Sequence, residues 1–404
     1  MKKIYLFILV CISCSVSVIA QPGASGNNNI SGSPFVCTAL TAPSGAFSQA
    51  RVLANQNSST ATWEFPASCA YPGDVWRPYF GGSSAIAFNT VIAPNGGANT
   101  GALYNSGNGG SSGLLSPTTN GRYYTFNIEN VTAPTDARMA VLETSFNPVT
   151  ISSVSNTTPA SSSNSTLVTC TTSAAPSSGE YVYVRYSTDV TFISSSAVSQ
   201  FTFTGTSGKA IIPCEPSGPV YYYVFSSNVD YSTLTTQVGT YGRVAYDMLA
   251  LNLNNNGGSN YTYTQGAGST TQFTGVYSVP GSCYGTVSAF VTALNAGTVT
   301  GPVTVYAIGG SATETATAGG ISITQTGTAA NPIIFQKFGS GSYTIQASST
   351  LVVGTLHDAI FELIGSDYIT IDGFTMQENP LNTVSSPAAS NTMTEWGVAL
   401  LHIS

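Results

Sequence analysis

DAIFELIGSDYITIDGF, residues 358–374, decides how this chain folds. Two short runs, Ala359 to Leu363 and Tyr368 to Ile371, are divided by a Gly-Ser-Asp turn and closed by Asp372-Gly373. Short runs of β-branched, aliphatic and aromatic residues between turn formers predict strands. The same unit recurs on both sides: Pro302 to Ile308, Gly320 to Thr324, Pro332 to Gln336, Tyr343 to Ile345, Phe374 to Met376 and Gly397 to Leu401. Each run is too short to bury its apolar face alone, so the runs must stack on one another, and the first layer of a stack needs a cover. Gly285 to Gly297 supplies one. Its Val287, Phe290, Val291 and Leu294 fall at i, i+3, i+4 and i+7, and Gly297 suits a stop. This segment reads as the one amphipathic helix of the mature chain.

The residues before 273 have a different rhythm. From Phe35, strand-like pieces such as Thr60 to Phe65, Asp74 to Phe80 and Arg122 to Ile128 alternate with turns, across a Gly/Asn/Ser stretch from Pro94 to Gly113. Period-two alternation with a turn every ten or so residues predicts a β-sandwich over 35–147. Pro148 opens a second set over 148–265: Val149 to Val154, Thr166 to Thr171, Tyr181 to Tyr186, Phe201 to Thr204, Lys209 to Ile212 and Val220 to Phe225. Leu251 to Tyr263 reads as the end of that set, with a linker to about residue 271. The fold expected is all-β: two β-sandwich domains, then over 273–404 the capped start of a parallel β-helix.

PSSGEYVYVRYST with GKAIIPCEPSGPVYYYVFSSN resembles the fibronectin type III or immunoglobulin-like modules attached to many secreted bacterial proteins. NPIIFQKFG, DAIFELIGSDYITIDGF and MTEWGVALLHIS resemble the first coils of right-handed parallel β-helix proteins, including pectate-lyase-like folds and large secreted proteins of Bacteroidetes-type bacteria. The resemblance implies a surface protein of the second group, on the outer face of a Gram-negative cell. Residues 398–403 read as a strand just begun, so the β-helix is expected to be a truncated one.

The start of the chain agrees with export. Lys2 and Lys3, an apolar run from Ile4 to Val10, and Val18-Ile19-Ala20 before Gln21 form the three parts of a signal peptide over 1–20, followed by a flexible leader over 21–34. Ile12-Ser13-Cys14 partly matches a lipobox, although Cys11 stands where Leu is usual. No later segment is long and apolar enough to span a bilayer. Charged residues make up only 7% of the chain and the net charge is −7, which argues against nucleic acid, whose phosphates need a basic face. In an exported protein the cysteines are candidates for pairing. The pairs expected are Cys37–Cys69 and Cys170–Cys214, each inside one domain, which leaves Cys283 alone. No cysteine and histidine cluster has zinc spacing.

Candidate chemistry is sparse. Gly109-Gly-Ser-Ser-Gly113 matches G-x-S-x-G, but in a glycine-rich loop with no strand before it, and His357 and His402 lie far away in sequence. Asp358, Glu362, Asp367 and Asp372 form a possible acidic cluster in the β-helix; such carboxylates can serve as acid and base or as calcium ligands. Turn chemistry also accounts for Asp367 and Asp372, and alternation turns Glu362 toward solvent. Nothing in the spacing asks for calcium or any other cofactor. Trp63 and Trp76 are candidates for stacking on sugar rings, against the plainer reading as core. The function expected is non-catalytic, adhesion or carbohydrate interaction at the cell surface, with extracellular glycans or surface proteins as partners. The rival is a polysaccharide lyase or glycoside hydrolase whose active coils lie beyond residue 404.

Overall fold

The computed structural model describes residues 138–349 apart from 244 and 311, then 359–382, 393–394 and 396–402, and before residue 138 the strands named below. The signal segment, the leader, Cys37 and Cys69 fall outside the described residues. The chain is all-β and divides into two compact units, one built on Ala46–Ser145 and one on Phe146–Ser404.

In the first unit, strands β1 (Thr38–Ala42), β2 (Gly45–Leu53), β6 (Thr90–Ile92), β8 (Tyr123–Glu129) and β9 (Arg138–Thr144) form a sheet in the order β1-β2-β8-β9-β6. A second sheet, β3-β4-β7-β5, uses β3 (Trp63–Glu64), β4 (Trp76–Phe80), β5 (Ile86–Ala87) and β7 (Ala102–Asn105). Thr125 and Asn127 pair with Leu142 and Ala140, and all four are fully buried on one face of the first sheet.

The second unit begins with two antiparallel sheets. β10 (Ile151–Asn156), β11 (Thr166–Thr172), β15 (Ser207–Ile212) and β14 (Thr202–Thr204) run in the order β10-β11-β15-β14. β13 (Ala197–Gln200), β12 (Tyr181–Ser187), β16 (Gly218–Ser227) and β17 (Asn252–Asn254) make the other sheet, with β18 (Tyr261–Gln265) also on β16. Alternation does the sorting. Val168 and Cys170 from one sheet meet Val182, Val184, Val220, Tyr222 and Val224 from the other in a common core, and burying such side chains stabilises by roughly 1.5–3 kcal/mol each.

One expectation fails in this region and one does not. The segment 252–265, read as the end of this set, supplies its last strands, β17 and β18, on β16. Between β16 and β17 the chain forms helices α1 (Tyr231–Tyr241) and α2 (Ala245–Met248), so the cap segment is not the only long helix. The α1 sequence YSTLTTQVGTY has a weak apolar stripe, but Asp230 accepts the amide of Thr233 as an N-cap and starts the helix locally.

The rest of the unit is a three-sided stack. β19 (Gln272–Val279), α3 (Val287–Asn295), β20 (Thr298–Ile308), β21 (Ala312–Thr315), β22 (Ile321–Ile323), β23 (Ile333–Phe338), β24 (Tyr343–Gln346), β25 (Ala359–Ile364), β26 (Ile369–Asp372), β27 (Thr375–Gln377) and β28 (Trp396–Leu401) follow in chain order. They sort into three parallel ladders, β19-β20-β23-β26, β21-β24-β27 and β22-β25-β28. After β20 the chain visits each ladder in turn, which makes a parallel solenoid. Register stacks like on like: Val303, Ile333 and Ile369 in one column, Val305, Phe335 and Ile371 in the next. α3 buries Val287, Phe290, Val291 and Leu294 against this core, as its periodicity predicts.

The cysteines correct the sequence reading. Cys214 bonds Cys283, and Cys170 is free and buried. Cys170 lies opposite Gly208, so Cys214 is six residues further along the same side. At 3.4 Å per residue that is roughly 20 Å, far outside the ~7 Å reach of a disulfide. Burial pushes the Cys170 thiol up to about 12, so it stays protonated. The actual bridge joins the sandwich to the loop before α3 and closes a sequence separation of 69. Cys214→Ser with Cys283→Ser is therefore expected to cost about 2–4 kcal/mol, seen as a lower urea midpoint, with Cys170 unreactive to thiol reagents until unfolding. An unchanged midpoint would show that the staple is redundant.

Candidate functional site

A polar seam works beside that disulfide. Asn164, in the turn before β11, donates to the carbonyls of Thr274 (2.8 Å) and Val276 (3.3 Å) of β19. The Ser165 amide reaches Val276 O at 2.8 Å, and the Ser165 and Ser278 hydroxyls meet at 2.9 Å. Gln265 donates to the carbonyls of Ser161 and Asn164 at 2.7 and 2.9 Å, which holds the turn itself. Unpaired edges of parallel ladders invite misassociation; here the sandwich supplies partners along β19. Sandwich and solenoid thus form one body with a fixed gap between them.

That gap is a cleft of about 680 Å³, within the range of ligand sites. One wall is the segment Val198 to Thr202 with Tyr186, Ile211, Pro213 and Tyr231. The other is Ile308, Gly309, Gly310, Phe338, Gly339 and Ser340, at the ends of β20 and β23, with Ser278 and Pro280 between. Phe201 and Tyr186 are buried, while Tyr231 is 51% exposed at the rim. No lining residue carries a charge. Burial raises the Tyr186 hydroxyl well above the usual phenol range, helped by the nearby Glu215 carboxyl and opposed by its bond to Ser199. Burial likewise raises Glu215, two residues beyond the lining Pro213. The walls can stack on, enclose and hydrogen-bond a neutral ligand. Among the lining residues no nucleophile stands beside a base.

Beneath this wall lies a buried ion pair. Arg185 of β12 and Asp247 of α2 are both fully buried, 3.0 Å apart. The same guanidinium donates to the Tyr223 hydroxyl at 2.8 Å, to Phe192 O at 3.1 Å and to Ser196 Oγ at 3.2 Å. Tyr223 in turn donates to Asp247. Phe192, Tyr223 and Tyr246 surround the cation, with ring centroids 4.8–5.7 Å away. Phe192 and Ser196 belong to the loop entering β13, so Arg185 fixes the approach to the cleft wall. The signal available in the sequence was an arginine in phase with Tyr183 inside an apolar strand, in a chain with only ten Lys and Arg.

The predicted site residues are spread out. Trp63 and Trp76 lie opposite Phe80 and Asn105 in the first unit, with side chains outside the described residues, as is Asp358. Glu362 does not face solvent: it is fully buried on β25 and accepts from Ser322 Oγ at 2.8 Å. Asp367 occupies a turn, where its amide meets Thr326 Oγ1 (3.0 Å) and its carbonyl meets Gly327 N (2.8 Å). Asp372 ends β26 beside Gln336. Glu362 and Asp372 are on different ladders, with Asp367 in the turn between them, and among the described residues no three His, Cys, Asp or Glu are grouped to hold a metal. No described helix is long and apolar enough to cross a membrane. No family model matches the chain, and no curated protein or solved structure is similar to it.

Proposed function

We propose that this chain is a non-catalytic secreted or cell-surface protein that serves adhesion or carbohydrate interaction, and that its ligand sits in the cleft between sandwich and solenoid. The observation that carries this reading is the cleft itself: preformed, uncharged, aromatic at its walls, and held open by a disulfide and a polar seam. A rigid site loses little entropy on binding, so modest contacts suffice for affinity. The strand order of the sandwich supports the immunoglobulin or fibronectin type III relationship: β10-β11-β15-β14 faces β13-β12-β16-β17, the A-B-E-D and C′-C-F-G arrangement. The helices between β16 and β17 are an insertion into that plan.

The test is a blocked cleft. Ser340 is exposed in the turn after β23, so Ser340→Trp fills the gap without disturbing a core. Full chain applied to glycan and extracellular-protein arrays should bind, and Ser340→Trp should lower that affinity by about tenfold or more. Release of new reducing ends from a bound polysaccharide would overturn the non-catalytic reading.

A further inference from the structure

We infer that the cleft takes an extended, uncharged peptide from another protein, added as a strand to the free edge of β13. This deepens the binding reading above and rests on it.

The argument starts from which part of β13 meets the cleft. Val198, Ser199 and Gln200 of β13 all line it, followed by Phe201 and by Thr202, which opens β14. Consecutive residues of a strand point to opposite faces, so three in a row can share one cleft only if the edge of the strand, and not a face, is turned toward it. Among the described residues β13 is the terminal strand of its sheet and pairs only with β12.

The register says which backbone groups that edge presents. The Phe201 amide donates to Val182 O at 2.8 Å, and Ser199 and Ala197 lie opposite Val184 and Tyr186. In an antiparallel ladder hydrogen-bonded and non-bonded pairs alternate. Phe201, Ser199 and Ala197 therefore bond to β12, and the amides and carbonyls of Gln200 and Val198 point away from it. Two residues with outward N–H and C=O groups, one strand repeat apart, are what an incoming strand needs to pair.

The cleft also selects the class of partner. A sugar chain has no amide and carbonyl groups at the two-residue spacing of this edge, whereas any extended peptide has both. Ile308 and Phe338 offer an apolar wall to side chains on one face of the added strand. Gly309, Gly310 and Gly339 keep side chains out of its path, and the absence of charge along the lining disfavours charged peptides.

The experiment uses the full chain and an array of synthetic peptides of about ten residues, uncharged and alternating Val, Thr or Tyr with Ser or Asn, beside charged versions and neutral oligosaccharides. The uncharged peptides should bind and should slow hydrogen exchange of the Val198 and Gln200 amides. Gln200→Pro removes one outward donor at a pair that carries no ladder bond, so the sheet survives; it should weaken peptide binding about tenfold. Peptide binding that leaves both amides unprotected, or that Gln200→Pro does not weaken, overturns strand addition. Binding of neutral oligosaccharides alone, lost in Ser340→Trp, overturns the peptide inference and leaves the cleft as a binding site. Binding of neither class overturns both.

Discussion

Asp247→Ala should destabilise the second unit by about 3–5 kcal/mol, because it leaves the Arg185 guanidinium buried without its carboxylate. In this pair the two side chains are fully buried and 3.0 Å apart, so water cannot replace the lost partner. Tyr223 cannot substitute: burial holds its hydroxyl protonated, far above the usual range, and a neutral phenol does not balance a cation. Removing both charges is a different experiment. Arg185→Met with Asp247→Leu leaves no orphan, so the double variant should lose much less than the sum of the singles. Urea unfolding of the four proteins reads this coupling directly, and equal additive losses would mean that the pair acts through packing alone. The variant also connects stability to the cleft. Arg185 holds Phe192 O and Ser196 Oγ in the loop before β13, so Asp247→Ala should speed amide exchange in residues 192–200 more than in the solenoid.

How far the residues announced this architecture depends on whether a signal is periodic. The solenoid strands and α3 were legible because stacking demands repetition: Val303, Ile333 and Ile369 occupy equivalent places in successive runs and share one column. The buried quartet of α3 was readable for the same reason. Pairwise features left no such trace. Cys214 and Cys283 are 69 residues apart, and only the way the loop before α3 folds back onto the sandwich makes them neighbours. Pairing Cys170 with Cys214 by domain failed because the bridge from Cys214 runs from the sandwich to the loop before α3. The helix α1 was invisible because Thr and Ser dilute its apolar stripe, and its cap at Asp230 is a single residue. The cleft had no sequence signature at all: it is made of strand edges and glycine turns, whose residues are ordinary for a β protein. The acidic candidates show the reverse error, since residues close in sequence were divided between two ladders and a turn.

Glu314 shows most clearly how a local exception to the pattern reveals what the fold requires. On β21 it shares a column with Ile345 and Met376, so its side chain points inward where the next coils place apolar groups. A carboxylate there would be costly if it were alone. It is not: Glu314 accepts the Val287 amide at 2.8 Å, the Ser288 amide at 2.7 Å and the Tyr343 hydroxyl at 2.9 Å, along with the Ser288 hydroxyl. Val287 and Ser288 open α3, so the carboxylate satisfies amides that a helix leaves free in its first turn and meets the positive end of its dipole. Thr286 caps the next amide, that of Ala289, at 3.0 Å. The cap helix is thus fastened to the first coil by charge at one end and by Phe290 against Phe273, Tyr277 and Phe335 along its face. Glu314→Ala should cost about 3 kcal/mol, since it strands two buried donors and opens a cavity. Glu314→Gln keeps an acceptor and the side-chain volume and should lose roughly half as much. Amide exchange through α3 distinguishes this from general destabilisation: protection should fall at Val287 to Val291 before it falls in β23. Uniform loss across both segments would mean that helix and coil unfold together and that Glu314 stabilises the whole stack.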